Sequence, residues 1–191
     1  FNTGADGNDV TLTGNITTTG DNAQGLRLSS SDSNTTNLTG NITTTGDNAY
    51  GLVLNNSNSN ITNITGNITT TGDNAYGLYL ASSNSNTTTL TGNISTTGNA
   101  AYGLLVIGSD SNTTTITGDI ITSGTDGDSE PILLSNSDSN TFILSGAVHS
   151  LGGDQAIAVN ATSQNNTFTF KRGVSFIGGL ENNGGSTNKL I

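Results

Sequence analysis

The chain has 191 residues, a net charge of -10, and only 30% hydrophobic and 9% charged residues. Its 4 lysines and arginines are too few to build a surface that neutralises nucleic-acid phosphates, so nucleic-acid binding is not expected. No apolar run approaches the roughly 18 residues of a membrane-spanning helix, and the absence of cysteine excludes disulfides and thiolate metal sites.

A repeat of 26 residues begins near the N-terminus. The segments LTGNITTTGDNAQGL, LTGNITTTGDNAYGL and ITGNITTTGDNAYGL start at Leu12, Leu38 and Ile64. This apolar position recurs, with one two-residue shift, at Leu90, Ile116, Leu144 and Phe170. A second apolar position lies four residues after each of the first five, at Ile16, Ile42, Ile68, Ile94 and Ile120. We expect both columns to form the core, because equivalent residues of stacked repeats lie over one another.

Within a repeat, Leu38, Gly40 and Ile42 alternate with polar residues, a period of two that predicts a half-buried strand. Threonine and isoleucine favour strands, and the Gly-Asp and Asn-Ser clusters predict turns. We therefore expect about three strands per coil, within 36–44, at 49–54 and around 58–62. The chain is predicted to be all-β, a three-sided, right-handed parallel β-helix of about seven coils that spans 1–191 as one solenoid segment.

One asparagine column is predicted to stabilise this stack. An inward amide at a turn can bond to the equivalent asparagine of the next coil and satisfy buried turn groups. The column consists of Asn34, Asn60, Asn86, Asn112, Asn140 and Asn166.

The repeat is interrupted at 122–131, where we expect an irregular insertion loop. Its carboxylates Asp126, Asp128 and Glu130 are the candidate metal ligands. Ca²⁺ is the cation that such oxygen ligands, or an aligned aspartate column, would favour. Solvated turn residues are the simpler interpretation, so no metal and no cofactor are expected to reside in the chain.

Two sets of repeated outward side chains form a candidate binding face. One set is a tyrosine column that could pack on sugar rings or on a neighbouring rod, or could serve only to stabilise the stack: Tyr50, Tyr76 and Tyr102. The other is a threonine array of the kind found on ice-binding surfaces, or simply exposed strand residues: Thr43, Thr45, Thr69 and Thr71.

Catalytic residue types are scarce. His149 is the only histidine, and Glu130 and Glu181 are the only glutamates. No nucleophile, base and acid can be assembled from this inventory. We therefore expect a protein that is not an enzyme, with a polysaccharide-acting β-helix enzyme as the most distant alternative.

The phrase GDNAYGLVLNNSNSNITNITGNITT resembles repeats of autotransporter-type passenger segments and large bacterial surface adhesins. The resemblance extends over 10–121 and implies a β-helix exported to the bacterial cell surface, with roles in adhesion, aggregation or biofilm formation. Expected partners are a host or neighbouring-cell surface, glycans, or identical rods. An ice-binding or crystal-binding solenoid is the second hypothesis. The opening residues lack the basic and apolar regions of a signal peptide, so we expect a signal peptide to be absent or removed. We also expect the chain to be part of a longer repeat protein.

Overall fold

The computed structural model describes residues 5–125, 128–152, 155–185 and 187–191. This part of the chain contains 22 strands and no helix. Each strand pairs in parallel with the strand three places along the chain, so the backbone winds through about seven coils with three sheets. The all-β solenoid with about 26 residues per coil is thereby confirmed.

The first sheet collects the opening strand of every coil. Its eight strands pair in register, with Leu38 beside Ile64 and Ile64 beside Leu90. They are β1 (Asp9–Thr13), β4 (Thr35–Thr39), β7 (Ile61–Thr65), β10 (Thr87–Thr91), β13 (Thr113–Thr117), β16 (Thr141–Ser145), β19 (Thr167–Phe170) and β22 (Lys189–Leu190).

The second sheet follows after a short corner in each coil. Its seven strands are β2 (Ile16–Thr19), β5 (Ile42–Thr45), β8 (Ile68–Thr71), β11 (Ile94–Thr96), β14 (Ile120–Thr122), β17 (Ala147–Ser150) and β20 (Ser175–Ile177). The third sheet completes each coil. Its seven strands are β3 (Leu26–Ser29), β6 (Leu52–Asn55), β9 (Leu78–Ala81), β12 (Leu104–Ile107), β15 (Ile132–Ser135), β18 (Gln155–Val159) and β21 (Gly179–Asn182).

The strand boundaries differ from those predicted, although three strands per coil is correct. The predicted strand within 36–44 is two strands, because Gly40 turns the chain at a φ of 148° between β4 and β5. The predicted segment at 58–62 is a turn followed by a strand start. Ser59 has a φ of 57°, and Ile61 already begins β7 of the next coil.

The core columns are buried in the middle of the rod and open at its ends. Leu38, for example, is 2% exposed, whereas Leu12 is 37% exposed. The prediction that Leu12 lies in the core is therefore wrong. Ile16 and Phe170 pack against the core but are only half-buried. The physical reason is that a residue of a terminal coil is covered by a neighbouring coil on one side only.

Some threonine side chains also lie in the interior, which was not predicted from the sequence. Thr36 and Thr44 are both fully buried. Thr44 Oγ1 donates a hydrogen bond of 2.6 Å to the carbonyl of Ala49, so this column ties the second strand to the following corner. The Thr36 column differs, because its four buried hydroxyls at Thr36, Thr62, Thr88 and Thr114 have no hydrogen-bond partner.

The asparagine column forms a continuous buried ladder. Asn60 Oδ1 accepts the backbone N–H of Asn34 at 2.8 Å, and Asn60 Nδ2 donates to the carbonyl of Ser31 at 2.9 Å. A serine ladder runs beside it, with the Ser31 N–H donating to Ser57 Oγ at 3.2 Å. The ladders satisfy turn groups that lie outside the sheets, and thereby fix how each coil sits on the next.

Candidate functional site

All 4 tyrosines of the protein lie in one cluster on the outside of the rod. The rings of Tyr50 and Tyr76 stack with centroids 4.8 Å apart and an interplanar angle of 8°. Tyr102 continues the column at 5.3 Å from Tyr76. Tyr79 projects from β9 and meets Tyr50 and Tyr76 edge-on at 5.3 Å and 5.5 Å. We call these four residues the tyrosine patch.

The local sequence explains where the patch sits. Each column tyrosine follows a buried alanine, such as Ala49, and precedes a glycine, such as Gly51. A methyl group on Gly51 would collide with Ile68, so the chain runs close to the core here and the tyrosine side chain is left outside. The patch also adjoins Val53 and Leu105, which share the outward column of Tyr79 yet are 4% and 3% exposed.

Burial changes the acid–base chemistry of the patch. Desolvation raises the pKa of Tyr76 to about 12, with smaller contributions from the charges of Tyr50 and Tyr79. Desolvation also raises the pKa of Tyr50, and Tyr79 adds to the effect. Tyr50 and Tyr76 therefore present neutral phenol groups at physiological pH.

The stacking geometry limits what the patch can bind, because a sugar ring packs against an exposed aromatic face. The rings of Tyr50 and Tyr76 turn their faces towards each other, which leaves their edges and hydroxyl groups for a partner. The ring of Tyr102 is tilted by 43° to that of Tyr76 and is not stacked face to face.

The predicted threonine array lies on the outer side of the second sheet. Thr43 pairs with Thr69, and Thr45 pairs with Thr71, and all four are half-buried. Thr45 Oγ1 is directed back to the carbonyl of Thr18 at 3.4 Å. The columns are short, because Ile121 follows Ser95 and Thr69.

A larger threonine array, which was not predicted from the sequence, covers the six inner strands of the first sheet, from β4 to β19. The residues of its strands alternate between the core and the outside, so positions one, three and five of each strand point outward. We call this set the threonine face. It comprises Thr35, Asn37, Thr39, Ile61, Asn63, Thr65, Thr87, Thr89, Thr91, Thr113, Thr115, Thr117, Thr141, Ile143, Ser145, Thr167 and Thr169.

The aspartate columns stand at the corners of the rod and are occupied by backbone bonds. Asp21 Oδ1 accepts the N–H of Asp47 at 3.0 Å, and Asp47 Oδ1 accepts that of Asp73 at 2.9 Å. The column with Asp32 does the same, with the Asn58 N–H donating at 2.6 Å. Through these hydrogen bonds, the aspartate columns stabilise the turns. Within the described ranges, no three His, Cys, Asp or Glu side chains are placed to hold a metal ion.

The insertion leaves the stack intact. Thr122 belongs to β14, and its hydroxyl donates to the carbonyl of Ser129, as the Thr96 hydroxyl does to Ala101 one coil earlier. The coil thus returns to the register of the preceding coils before β15 begins. Of the three candidate ligands, Asp128 is exposed and Glu130 is 8% exposed. Asp126 lies outside the described residues.

The remaining candidates offer little chemistry. His149 Nε2 is 3.0 Å from Ser175 Oγ on the outside of the rod. A small apolar cavity of about 20 Å³ lies near the C-terminal end, beside Val159, Phe168 and Leu190. That volume corresponds to little more than one water molecule.

The described part of the chain has no helix long and apolar enough to cross a membrane. No protein-family model, curated protein or solved structure matches this chain.

Proposed function

We propose that this chain is a structural and adhesive rod of the bacterial cell surface, and that its tyrosine patch attaches it to a second copy of itself. The main support for the proposal is the concentration of all 4 tyrosines in one half-exposed cluster on the outside of the rod. Aromatic residues are enriched at protein interfaces, where their large area contributes much of the affinity.

Charge around the patch favours a second copy over other partners. Arg27 lies two coils before Tyr79 in the same outward column, and Asp128 is an exposed residue in the corner before β15, two coils after it. If two rods pack antiparallel about Tyr76, Arg27 of each rod lies opposite Asp128 of the other. Such an arrangement is two-fold symmetric and closed, as in most homodimers.

A rod of repeated coils suits adhesion between crowded surfaces. Contacts between many copies displayed on one surface add up, because each further contact forms at a high effective concentration. The resemblance to autotransporter-type passengers and surface adhesins points in the same direction. Host surfaces and glycans remain further partners of an adhesive rod, though the face-to-face stack of Tyr50 and Tyr76 leaves less ring surface for a sugar.

Sedimentation velocity and aggregation of protein-coated beads test this proposal together. We expect wild-type protein to form dimers and to aggregate beads, and Tyr50→Ser/Tyr76→Ser/Tyr79→Ser to do neither. The matched control is Thr43→Ser/Thr45→Ser/Thr69→Ser, which changes the second sheet and should behave as wild type. Arg27→Glu and Asp128→Lys should each weaken dimerisation, and the double variant should recover it. A wild-type chain that stays monomeric at about 1 mM, the concentration at which even weak contacts register, would refute self-association.

A further inference from the structure

The threonine face differs from the rest of the rod in charge. Its 17 side chains comprise 12 threonines, two asparagines, two isoleucines and one serine, with no ionisable and no aromatic group. Charged residues continue its first column only beyond its two edges, with Asp9 beside Thr35 and Lys189 beside Thr167. The protein as a whole has a net charge of -10. Other described aspartates lie away from the face, for example Asp47 and Asp110 in corner turns and Asp128 beside the insertion. The face is therefore a neutral surface on an acidic molecule.

The hydroxyl groups of this face are free. Among the described residues, no threonine hydroxyl of the face takes part in a hydrogen bond, whereas the inward Thr44 hydroxyl is bonded to the carbonyl of Ala49. The second sheet is less open, since Thr45 Oγ1 is directed to the backbone of the preceding coil. The one side-chain hydrogen bond within the face joins Asn63 Nδ2 to Asn37 Oδ1 at 2.9 Å, which keeps the second of its three columns in order.

The face has the regularity of a two-dimensional lattice. Its strands pair in register without a shift from β4 to β19. Equivalent side chains in adjacent strands are therefore about 4.8 Å apart along the rod, and next-nearest residues within a strand are about 6.7 Å apart. Threonine is branched at Cβ and restricted at χ1, so each methyl and hydroxyl has few orientations available relative to this lattice.

These properties select one kind of ligand. The face has no charged group to pair with a phosphate or mineral surface and no aromatic face to stack on a sugar ring. A neutral, regular lattice of methyl and hydroxyl groups suits an extended array of ordered water, because it can anchor water molecules with little further loss of side-chain entropy. We propose that the threonine face binds ice. This inference is independent of the proposed self-association, which uses the third sheet.

Thermal hysteresis and the adsorption of fluorescently labelled protein to a single ice crystal test the proposal. We expect wild-type protein to lower the freezing point below the melting point and to coat the crystal. In Thr89→Lys/Thr115→Lys, two charged side chains interrupt the middle of the face, and the hysteresis should fall by about tenfold or more, since contacts on one array act together. The matched control, Thr43→Lys/Thr69→Lys, interrupts the second sheet in the same way and should retain the activity.

Circular dichroism and the thermal unfolding midpoint establish that both lysine variants keep the wild-type fold. Wild-type protein that neither shows hysteresis nor adsorbs to ice would overturn the proposal. Equal loss of activity in the two lysine variants would also overturn it, because the effect would then not belong to the threonine face. Self-association is measured above freezing on the tyrosine variants, so failure of either proposal is distinguishable from failure of the other.

Discussion

Asn60 binds Asn34 of the preceding coil through two hydrogen bonds to a single oxygen. Asn60 Oδ1 accepts one hydrogen bond from the backbone N–H of Asn34 at 2.8 Å and a second from Asn34 Nδ2 at 3.1 Å. The same pair of bonds joins Asn86 to Asn60 and Asn112 to Asn86. Because each amide is buried, this ladder fixes the vertical alignment on which every other column depends.

Replacing one ladder residue should therefore destabilise the rod. In Asn86→Ala, the Asn60 N–H and the Ser57 carbonyl both lose a buried partner. We expect the free energy of unfolding to fall by about 2–5 kcal/mol, because each buried polar group left unsatisfied costs about 1–3 kcal/mol. Urea denaturation followed by circular dichroism measures the change.

Asn84→Ala is the matched control for the ladder variant. Asn84 is exposed, and its Oδ1 accepts one bond, from the Asp110 N–H at 2.7 Å. Its replacement should cost less than about 1 kcal/mol, since water can solvate the freed group. Equal losses in the two variants would show that the inward ladder has no special role.

The column of unpaired buried hydroxyls should yield a stabilising substitution. Thr62 Oγ1 has no hydrogen-bond partner, although the residue is fully buried. Thr62→Val keeps the shape of the side chain and removes the desolvation cost of the hydroxyl, so we expect a gain of about 1 kcal/mol in unfolding free energy. Thr65→Val, on the outer side of the same strand, should change stability by less than about 0.5 kcal/mol. A loss of stability in Thr62→Val would mean that its hydroxyl is bonded in solution.

The corner glycines should tolerate a methyl group only at an open end. Gly66 has a φ of 147°, and a Cβ there would collide with the carbonyl of Gly40 in the preceding coil. Gly14 has a comparable φ of 127° with open space around it. Gly66→Ala should therefore cost about 2 kcal/mol or more beyond Gly14→Ala, since it adds steric overlap to backbone strain. Thermal unfolding of the two variants gives the comparison, and equal shifts would argue against close stacking of the corners.

Tyr76, in the tyrosine patch, should lose its proton at a higher pH than a free tyrosine. The pKa of Tyr76, about 12, lies above the value of 10.0 for a free tyrosine, mainly because burial disfavours the phenolate. A group whose pKa is raised on folding stabilises the folded state fully below the unfolded pKa, and this contribution is lost as pH rises through the folded pKa. Stability should thus decline from about pH 10 towards pH 12.

The ultraviolet absorbance of phenolate follows this titration directly. Tyr79→Phe should lower the pKa of Tyr76 only slightly, since desolvation is the largest cause of its shift and the charge of Tyr79 the smallest. Titration of Tyr50 and Tyr76 near 10.0, in protein that is still folded, would contradict the buried stack.

The sequence predicted the features that depend on like residues stacking at a constant interval. The coil length, the three strands per coil and the core position of Leu38 and Ile42 follow from recurrence alone. The strand break at Gly40 was missed, because the alternation of Leu38, Gly40 and Ile42 continues through the corner without a change of pattern. Recurrence also does not predict the degree of burial: Phe170 belongs to a core column, yet it lies in a coil near one end of the stack and is only half-buried.

The candidate surfaces were harder to predict, because residue type does not reveal which side of a strand faces out. Thr36 and Thr35 look equivalent in sequence, although one is fully buried and the other lies on the threonine face. Tyr79 was missed for a different reason. Its neighbours in the column are Val53 and Leu105, so no aromatic repeat marks it, and only the fold brings it to Tyr50 and Tyr76.

Successive coils stack in register, and a pair of engineered cysteines in adjacent coils measures this stacking. The chain has no cysteine of its own, and Thr65 pairs with Thr91 on the first sheet. Their Cα atoms should lie about 4.8 Å apart, within the range for a disulfide. We predict that Thr65→Cys/Thr91→Cys closes an intramolecular disulfide on mild oxidation, as read by mass spectrometry, and that Thr65→Cys/Thr117→Cys, two coils apart, does not. Free thiols in the first variant, together with an intramolecular disulfide in the second, would contradict in-register stacking.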